Sequence, residues 1–125
     1  MNVLLLERHP ERTSLVHRLP RSLTGAPSVK RVSKLAQAVD RLAAERFDVA
    51  LVDLSSRAVA AEDPLWVLRQ EAPSVPLVAI TTGDEQGFQA VQAGAQEFVC
   101  RAEADERALP RVIRLAPPAE PRGQP

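Results

Sequence analysis

The stretch RFDVALVDL, from Arg46 to Leu54, decides the fold. Within it Val49 to Val52 is continuously apolar and stops at Asp53, the pattern of a short strand covered on both faces that delivers a carboxylate at its C-terminal end. Three further segments share this shape. Asn2 to Leu6 is a brief apolar run that stops at the charged Glu7, Arg8 and His9 before Pro10 opens a new segment. Pro76 to Ile80 ends in Thr81 and Thr82, and Glu97 to Cys100 precedes Arg101. A fifth, Ser28 to Val32, sets Val29 and Val32 around Lys30 and Arg31, which makes it the weakest strand and places it near a sheet edge.

Between these runs the apolar period changes from continuous to helical. Leu15, Val16 and Leu19 recur at helical spacing between Pro10 and Pro20. Ser33 offers an N-cap to a helix whose apolar face is Leu35, Val39, Leu42 and Ala43 and whose polar face carries Lys34, Asp40 and Arg41. Asp63 and Pro64 open a helix with Leu65, Val67 and Leu68, which closes by Pro73. After Gly83 turns the chain, Asp84 offers a cap to a helix carrying Phe88 and Val91, and Gly94 is placed to end it with a positive φ. A last helix is expected from about Asp105 to Leu115, with Leu109, Val112 and Ile113 inward and Pro110 in its first turn.

The order is five repeats of strand then helix. By the right-handed crossover rule these fold most simply into one α/β domain, a doubly wound five-stranded parallel sheet flanked by helices, over residues 1–116. The segment 117–125, from Pro117 to Pro125, reads as a disordered proline-rich tail or linker. Ligand chemistry on such sheets gathers at the strand C-termini, so Glu7, Arg8, Asp53, Thr81, Thr82 and Arg101 are expected on one rim.

Composition narrows the function. Sixteen basic and sixteen acidic residues cancel, so no global field draws the chain to nucleic acid or to an anionic membrane. The early basic cluster, with Arg8, Arg12, Arg18 and Arg21 beside His9 and His17, followed by Lys30, Arg31 and Lys34, carries no interleaved aromatic residues and is expected to meet an acidic protein surface. The single cysteine, Cys100, excludes an internal disulfide and a multi-cysteine zinc site. His9 and His17 lack a second ligand at metal spacing. No apolar run reaches the length of a membrane helix and no signal-peptide pattern opens the chain, so a soluble cytoplasmic protein is expected. A flavin or nucleotide enzyme is disfavoured by the lack of a glycine-rich loop after the first strand, of a nucleophile with a histidine base, and of aromatic residues to sandwich a ring. Trp66 either packs its helix or marks an exposed contact.

From Asn2 to about Leu115 the chain resembles the receiver domain of bacterial response regulators, a flavodoxin-like (βα)5 fold. RFDVALVDL looks like the third strand with its phosphoacceptor aspartate, which would be Asp53. LVAIT looks like the fourth, whose hydroxyl Thr81 would sense the phosphoryl group. AGAQEFVCR looks like the fifth, with the switch aromatic at Phe98. The resemblance implies no enzyme in the metabolic sense. It implies protein partners, a histidine kinase or a downstream signalling protein, met through the fourth helix, fifth strand and fifth helix, and it allows a homodimer.

Three departures set this chain apart from the pattern it resembles. The acidic pair that holds magnesium reads Glu7 and Arg8, which removes an oxygen ligand and adds a positive charge, so magnesium binding is expected to be weak or absent. Arg101 stands in place of the lysine that pairs with the aspartate or the phosphoryl group. LSSRAV, after Asp53, lacks the proline and glycine pattern of that loop. The expectation is therefore an atypical, pseudo-receiver interaction module in which Arg8 and Arg101 flank Asp53 and Glu7. The alternative is a phosphorylatable receiver with Asp53 as phosphoacceptor.

Overall fold

Four apolar residues in a row, Val3–Leu6, form β1, and all four are buried because β1 is an interior strand with both faces covered. The computed structural model describes residues 2–7, 29–55, 64–104 and 108–115. The helix expected over Pro10–Leu19, together with Arg8, His9, His17, Asp63 and the tail, lies outside them. Around β1 the chain adds β2 (Val29–Val32), α1 (Leu35–Ala44), β3 (Val49–Asp53), α2 (Pro64–Glu71), β4 (Leu77–Thr81), α3 (Asp84–Gln92), β5 (Glu97–Cys100) and α4 (Ala108–Leu115).

The strands make one parallel sheet in the order β2-β1-β3-β4-β5. Registers run Leu5↔Arg31, Leu5↔Leu51, Val52↔Ala79 and Thr81↔Cys100. The doubly wound topology expected from the sequence is thus present, and β2 lies at an edge. Alternate side chains feed two cores. Val3, Leu5, Val49, Leu51, Val78, Ile80 and Val99 pack with Leu109 of α4 on one face. Leu4, Leu6, Ala50, Val52, Leu77 and Ala79 pack with Ala38, Leu65, Leu68 and Ala90 of α1, α2 and α3 on the other.

Several expected element ends shift by a residue or more, each for a local reason. Ser33 does not cap α1. Gln37, the third helical residue, accepts from the backbone N–H of Lys34 and of Ser33, each at 3.2 Å, so the side chain inside the first turn satisfies the donors instead. Asp84 is likewise inside α3, not its cap, and with Glu85 it places negative charge in the first turn, where the helix dipole favours it. Gln86 accepts there from the Thr82 N–H at 2.7 Å. Gly94 ends α3 with φ +124°, and the Ala95 N–H reaches back to the Ala90 carbonyl at 3.0 Å. Before α4 the chain makes a 3-10 turn, Arg101–Glu103. Pro110 is the third residue of α4, where its missing N–H needs no intrahelical partner.

Candidate functional site

Parallel strands all end on one side, so the residues just past β1, β3, β4 and β5 share a rim. Glu7 and Asp53 continue the alternation of Val3 and Leu5 and of Val49 and Leu51. Both therefore belong to the α4 face of the sheet. Among the described residues they are its buried carboxylates, 2% and 7% exposed. A carboxylate held away from water needs hydrogen-bond donors or a counter-charge, and here each receives one.

Asp53 closes β3. Arg101 Nη1, at the start of the turn after β5, donates to its Oδ2 at 2.6 Å, and both side chains are largely buried, at 15% exposed for the arginine and 6% for the aspartate. The other oxygen, Oδ1, accepts from the Ser55 N–H at 2.9 Å and from the Ser55 hydroxyl. An acceptor two residues before its backbone donor is an Asx turn. Asp53 thus caps its own loop with one oxygen and pairs with a guanidinium through the other. The expected approach of Arg101 to Asp53 is present, whereas Arg8, expected beside Glu7, lies outside the described residues.

Glu7 has a counter-charge that the sequence reading did not assign. Arg31 Nε donates to Glu7 Oε1 at 2.9 Å. The cause is the β1–β2 register. Leu5 lies opposite Arg31, and Glu7, two residues on, has its side chain on the same face. The Glu7 N–H donates to the Val32 carbonyl at 3.0 Å, so the strand pairing continues through Glu7 and fixes the carboxylate beside Arg31. The guanidinium comes from the edge strand, with its side chain 31% exposed. The neighbouring Lys30 points to Glu45, which Arg41 also meets at 3.1 Å. The hydrogen bond from Lys30 is the main cause holding the Glu45 carboxyl below its ordinary range.

Thr81 closes β4 and is fully buried. Its hydroxyl donates to the Gly83 carbonyl at 3.1 Å and lies 4.0 Å from Cys100 Sγ. Burial pushes the Cys100 thiol up. Gln86 ties this corner to the loop after β3, donating to the Leu54 carbonyl at 2.9 Å. Phe98, in β5, is half-buried and meets Phe88 edge-on at 5.6 Å and 83°. Its ring lies over Gly87 so closely that a Cβ there would sit 2.2 Å from ring carbons. Phe88 and Trp66 are mostly exposed, at 61% and 60%, which decides for Trp66 in favour of an exposed position. A groove of about 350 Å³ runs beside β5, lined by Asp84, Phe98, Cys100, Glu103, Arg111 and Val112 among others.

No protein-family model and no curated protein matches the chain. Solved structures do. The chain is similar to the receiver domain of a sensor histidine kinase from Pseudomonas aeruginosa with magnesium coordinated in its active-site cleft, at 25% identity over 92% of this chain and 95% of that one, with a TM-score of 0.70. It is also similar to a LuxR family DNA-binding response regulator from Silicibacter pomeroyi, at 26% identity over 92% and 89%, TM-score 0.70. An adenylate cyclase from Rhodopirellula baltica shares the fold at 18% identity over 92% and 85%, TM-score 0.72.

Proposed function

We propose that this chain, whose fold is that of response regulator receiver domains, is an atypical receiver that acts in a bacterial two-component or phosphorelay pathway by protein contact, without ordinary magnesium-dependent phosphorylation. The observation that carries this reading is the ion pair between Arg101 and Asp53 at 2.6 Å, in which the carboxylate is 6% exposed.

Phosphoryl transfer to an aspartate needs a carboxylate oxygen free to attack in line and cations that neutralise the phosphoryl oxygens. Here Oδ2 of Asp53 is held by a guanidinium and Oδ1 by Ser55. The Pseudomonas receiver domain holds magnesium in its cleft. The residues of this chain do not suit that ion, because Glu7 and Asp53 are each engaged by an arginine. Among the described residues no three acidic, histidine or cysteine side chains converge as a metal site. A guanidinium supplies charge but no oxygen ligand, and magnesium requires a near-octahedral oxygen shell.

The partner surface we assign is the face of α3, β5 and α4 around Phe98. Exposed Phe88 stands edge-on to Phe98 there, and the groove beside β5 offers a mixed acidic, basic and apolar lining. A histidine kinase or a downstream signalling protein is the class of partner, and the domain works in the cytoplasm. No helix among the described residues is long and apolar enough to cross a membrane.

The test is incubation with acetyl phosphate or beryllofluoride, with and without magnesium, read by intact mass and amide spectra. Unchanged mass and unchanged Asp53 and Thr81 amides are expected. The second reading, a phosphorylatable receiver, is favoured by the placement of Asp53 and Thr81 at adjacent strand ends. A magnesium-dependent adduct that Asp53→Ala abolishes would establish it and refute the first.

A further inference from the structure

We infer that Gln86 is a positioning residue: its side-chain amide is a fixed brace that holds the first turn of α3, and with it the aromatic pair of the partner face, against the loop after Asp53. The inference rests on the partner face assigned above and names the residue that keeps it in place.

Gln86 is half-buried, and its amide is engaged at both ends. Oε1 accepts from the Thr82 N–H at 2.7 Å and from the Thr82 hydroxyl at 3.2 Å, and Nε2 donates to the Leu54 carbonyl at 2.9 Å. The partners fix this orientation, because a backbone N–H can only donate and a carbonyl can only accept. Capping a first turn needs an acceptor alone, which Gln37 supplies in α1. The donor on Gln86 reaches back 32 residues to the end of β3 and serves a different purpose.

The group it reaches is itself held. The Leu54 N–H donates to the Ile80 carbonyl at 2.7 Å, and the Ser55 N–H donates to Asp53 Oδ1 at 2.9 Å. The Leu54 carbonyl and the Ser55 N–H belong to one planar peptide unit, which is therefore pinned by Asp53 on one side and by Gln86 on the other. Carboxylate, peptide, side-chain amide and the Thr82 N–H form one chain of hydrogen bonds whose members polarise one another. The next two residues of α3 carry the contact onward. Gly87 lies under the Phe98 ring, where a Cβ would sit 2.2 Å from ring carbons, and Phe88 meets that ring edge-on at 5.6 Å. A shift of the first turn would move Gly87 and Phe88 with it, and the close approach at Gly87 obliges the ring to follow.

The experiment uses the full chain as wild type, Gln86→Glu, Gln86→Met and, as a control, Gln37→Glu. At neutral pH a carboxylate at position 86 keeps the acceptor for the Thr82 N–H, in a turn where negative charge is favoured, but has no proton to give Leu54. A helix cap alone would tolerate that change. We expect Gln86→Glu to move the Leu54 carbonyl carbon resonance and the ring-proton resonances of Phe88 and Phe98. The Ser55 N–H should exchange about tenfold faster, the size of effect that losing one hydrogen bond implies. Gln37→Glu, the same substitution at the start of α1, should leave all of these at wild-type values. Gln86→Met, which loses donor and acceptor together, should show the same changes with a lower thermal midpoint, and it carries the test if Gln86→Glu does not fold. The inference is overturned if the resonances and the exchange rate stay at wild-type values, if Leu54 and Ser55 respond while both rings stay in place, or if Gln37→Glu moves the rings as far. Phosphodonor labelling of the wild type tests the proposed function separately. Labelled wild type together with displaced rings in Gln86→Glu would reject that function and keep the role of Gln86.

Discussion

Replacing Arg101 by Gln should destabilise the domain by about 3 kcal/mol. Removing one partner from a buried ion pair generally costs about 3–5 kcal/mol, because the other charge stays buried without its counter-charge. Asp53 would remain 6–7% exposed. The lower end applies because the Ser55 N–H and hydroxyl continue to donate to Oδ1. With an unfolding entropy of about 2.1 cal/mol/K per residue, a chain of 125 residues converts that loss into a fall of about 12 °C in Tm. Asp53→Asn should cost less, about 1–2 kcal/mol, because the stranded partner is then an arginine, 15% exposed, whose long stem can turn its head to water. The double variant Asp53→Asn/Arg101→Gln should recover stability relative to the sum, with a coupling energy of about 2 kcal/mol. Arg101→Lys should fall between wild type and Arg101→Gln, since a point charge replaces a planar fork. Urea unfolding read by the fluorescence of Trp66 gives all four values. If Arg101→Gln melts within about 2 °C of wild type and the coupling energy is below about 0.5 kcal/mol, the guanidinium does not hold Asp53.

Three further outcomes follow from local geometry. Gly87→Ala should lower stability by about 1 kcal/mol net, since overpacking against Phe98 at 2.2 Å outweighs the helix propensity gained. Changed ring-proton shifts of Phe88 would report the displaced edge contact, whereas a higher midpoint would refute the placement of the Phe98 ring. Cys100 should react with iodoacetamide more slowly than an unfolded thiol at mildly alkaline pH, because burial raises its pKa and the thiolate is the nucleophile; equal rates in native and unfolded chain would contradict this. Glu45 has a depressed folded pKa, so its stabilising pairing with Lys30 and Arg41 is present above the ordinary value of 4.5 and is lost as pH falls through the lower folded value. Glu45→Gln should therefore flatten the pH dependence of Tm below that value, and about 1 M salt should shrink the difference between the two proteins.

The sheet was legible because its signal is redundant. Val49–Asp53 and Leu77–Thr81 are continuous apolar runs with a polar residue at the end, and a buried parallel strand leaves few other arrangements. Helix starts were less legible. Ser33 and Asp84 have the composition of caps, yet glutamines inside the first turn, Gln37 and Gln86, accept the backbone N–H groups; composition does not say which of two nearby acceptors wins. The approach of Arg101 to Asp53 could be anticipated because both follow strands that the topology brings to one rim. The role of Arg31 was hidden for the opposite reason. In VKRV the two charges mark a weak edge strand, and nothing local distinguishes Lys30, which meets Glu45, from Arg31, which meets Glu7. Strand register alone makes that distinction, and register is a non-local property. A charged residue on an edge strand, on the same face as a buried strand-end carboxylate, is the signal to look for.

The two arginines enter the rim from opposite ends of the sheet, Arg31 from β2 and Arg101 from beyond β5. Each is matched to one buried carboxylate, so these four side chains carry no net charge. Unpaired carboxylates converging on one rim would leave an excess of negative charge of the kind that attracts a divalent cation. With the charges matched internally, an arriving phosphoryl dianion would have to draw a guanidinium off a carboxylate and leave that carboxylate buried without this counter-charge. Under the proposed function, Thr81 then has no phosphoryl oxygen to follow, and its hydroxyl stays on the Gly83 carbonyl. Phe98 keeps its place over Gly87 and against Phe88. Under that proposal the partner face around Phe98 is set by packing, so its affinity for a partner should not depend on the state of Asp53, and its occupancy should follow how much protein is made.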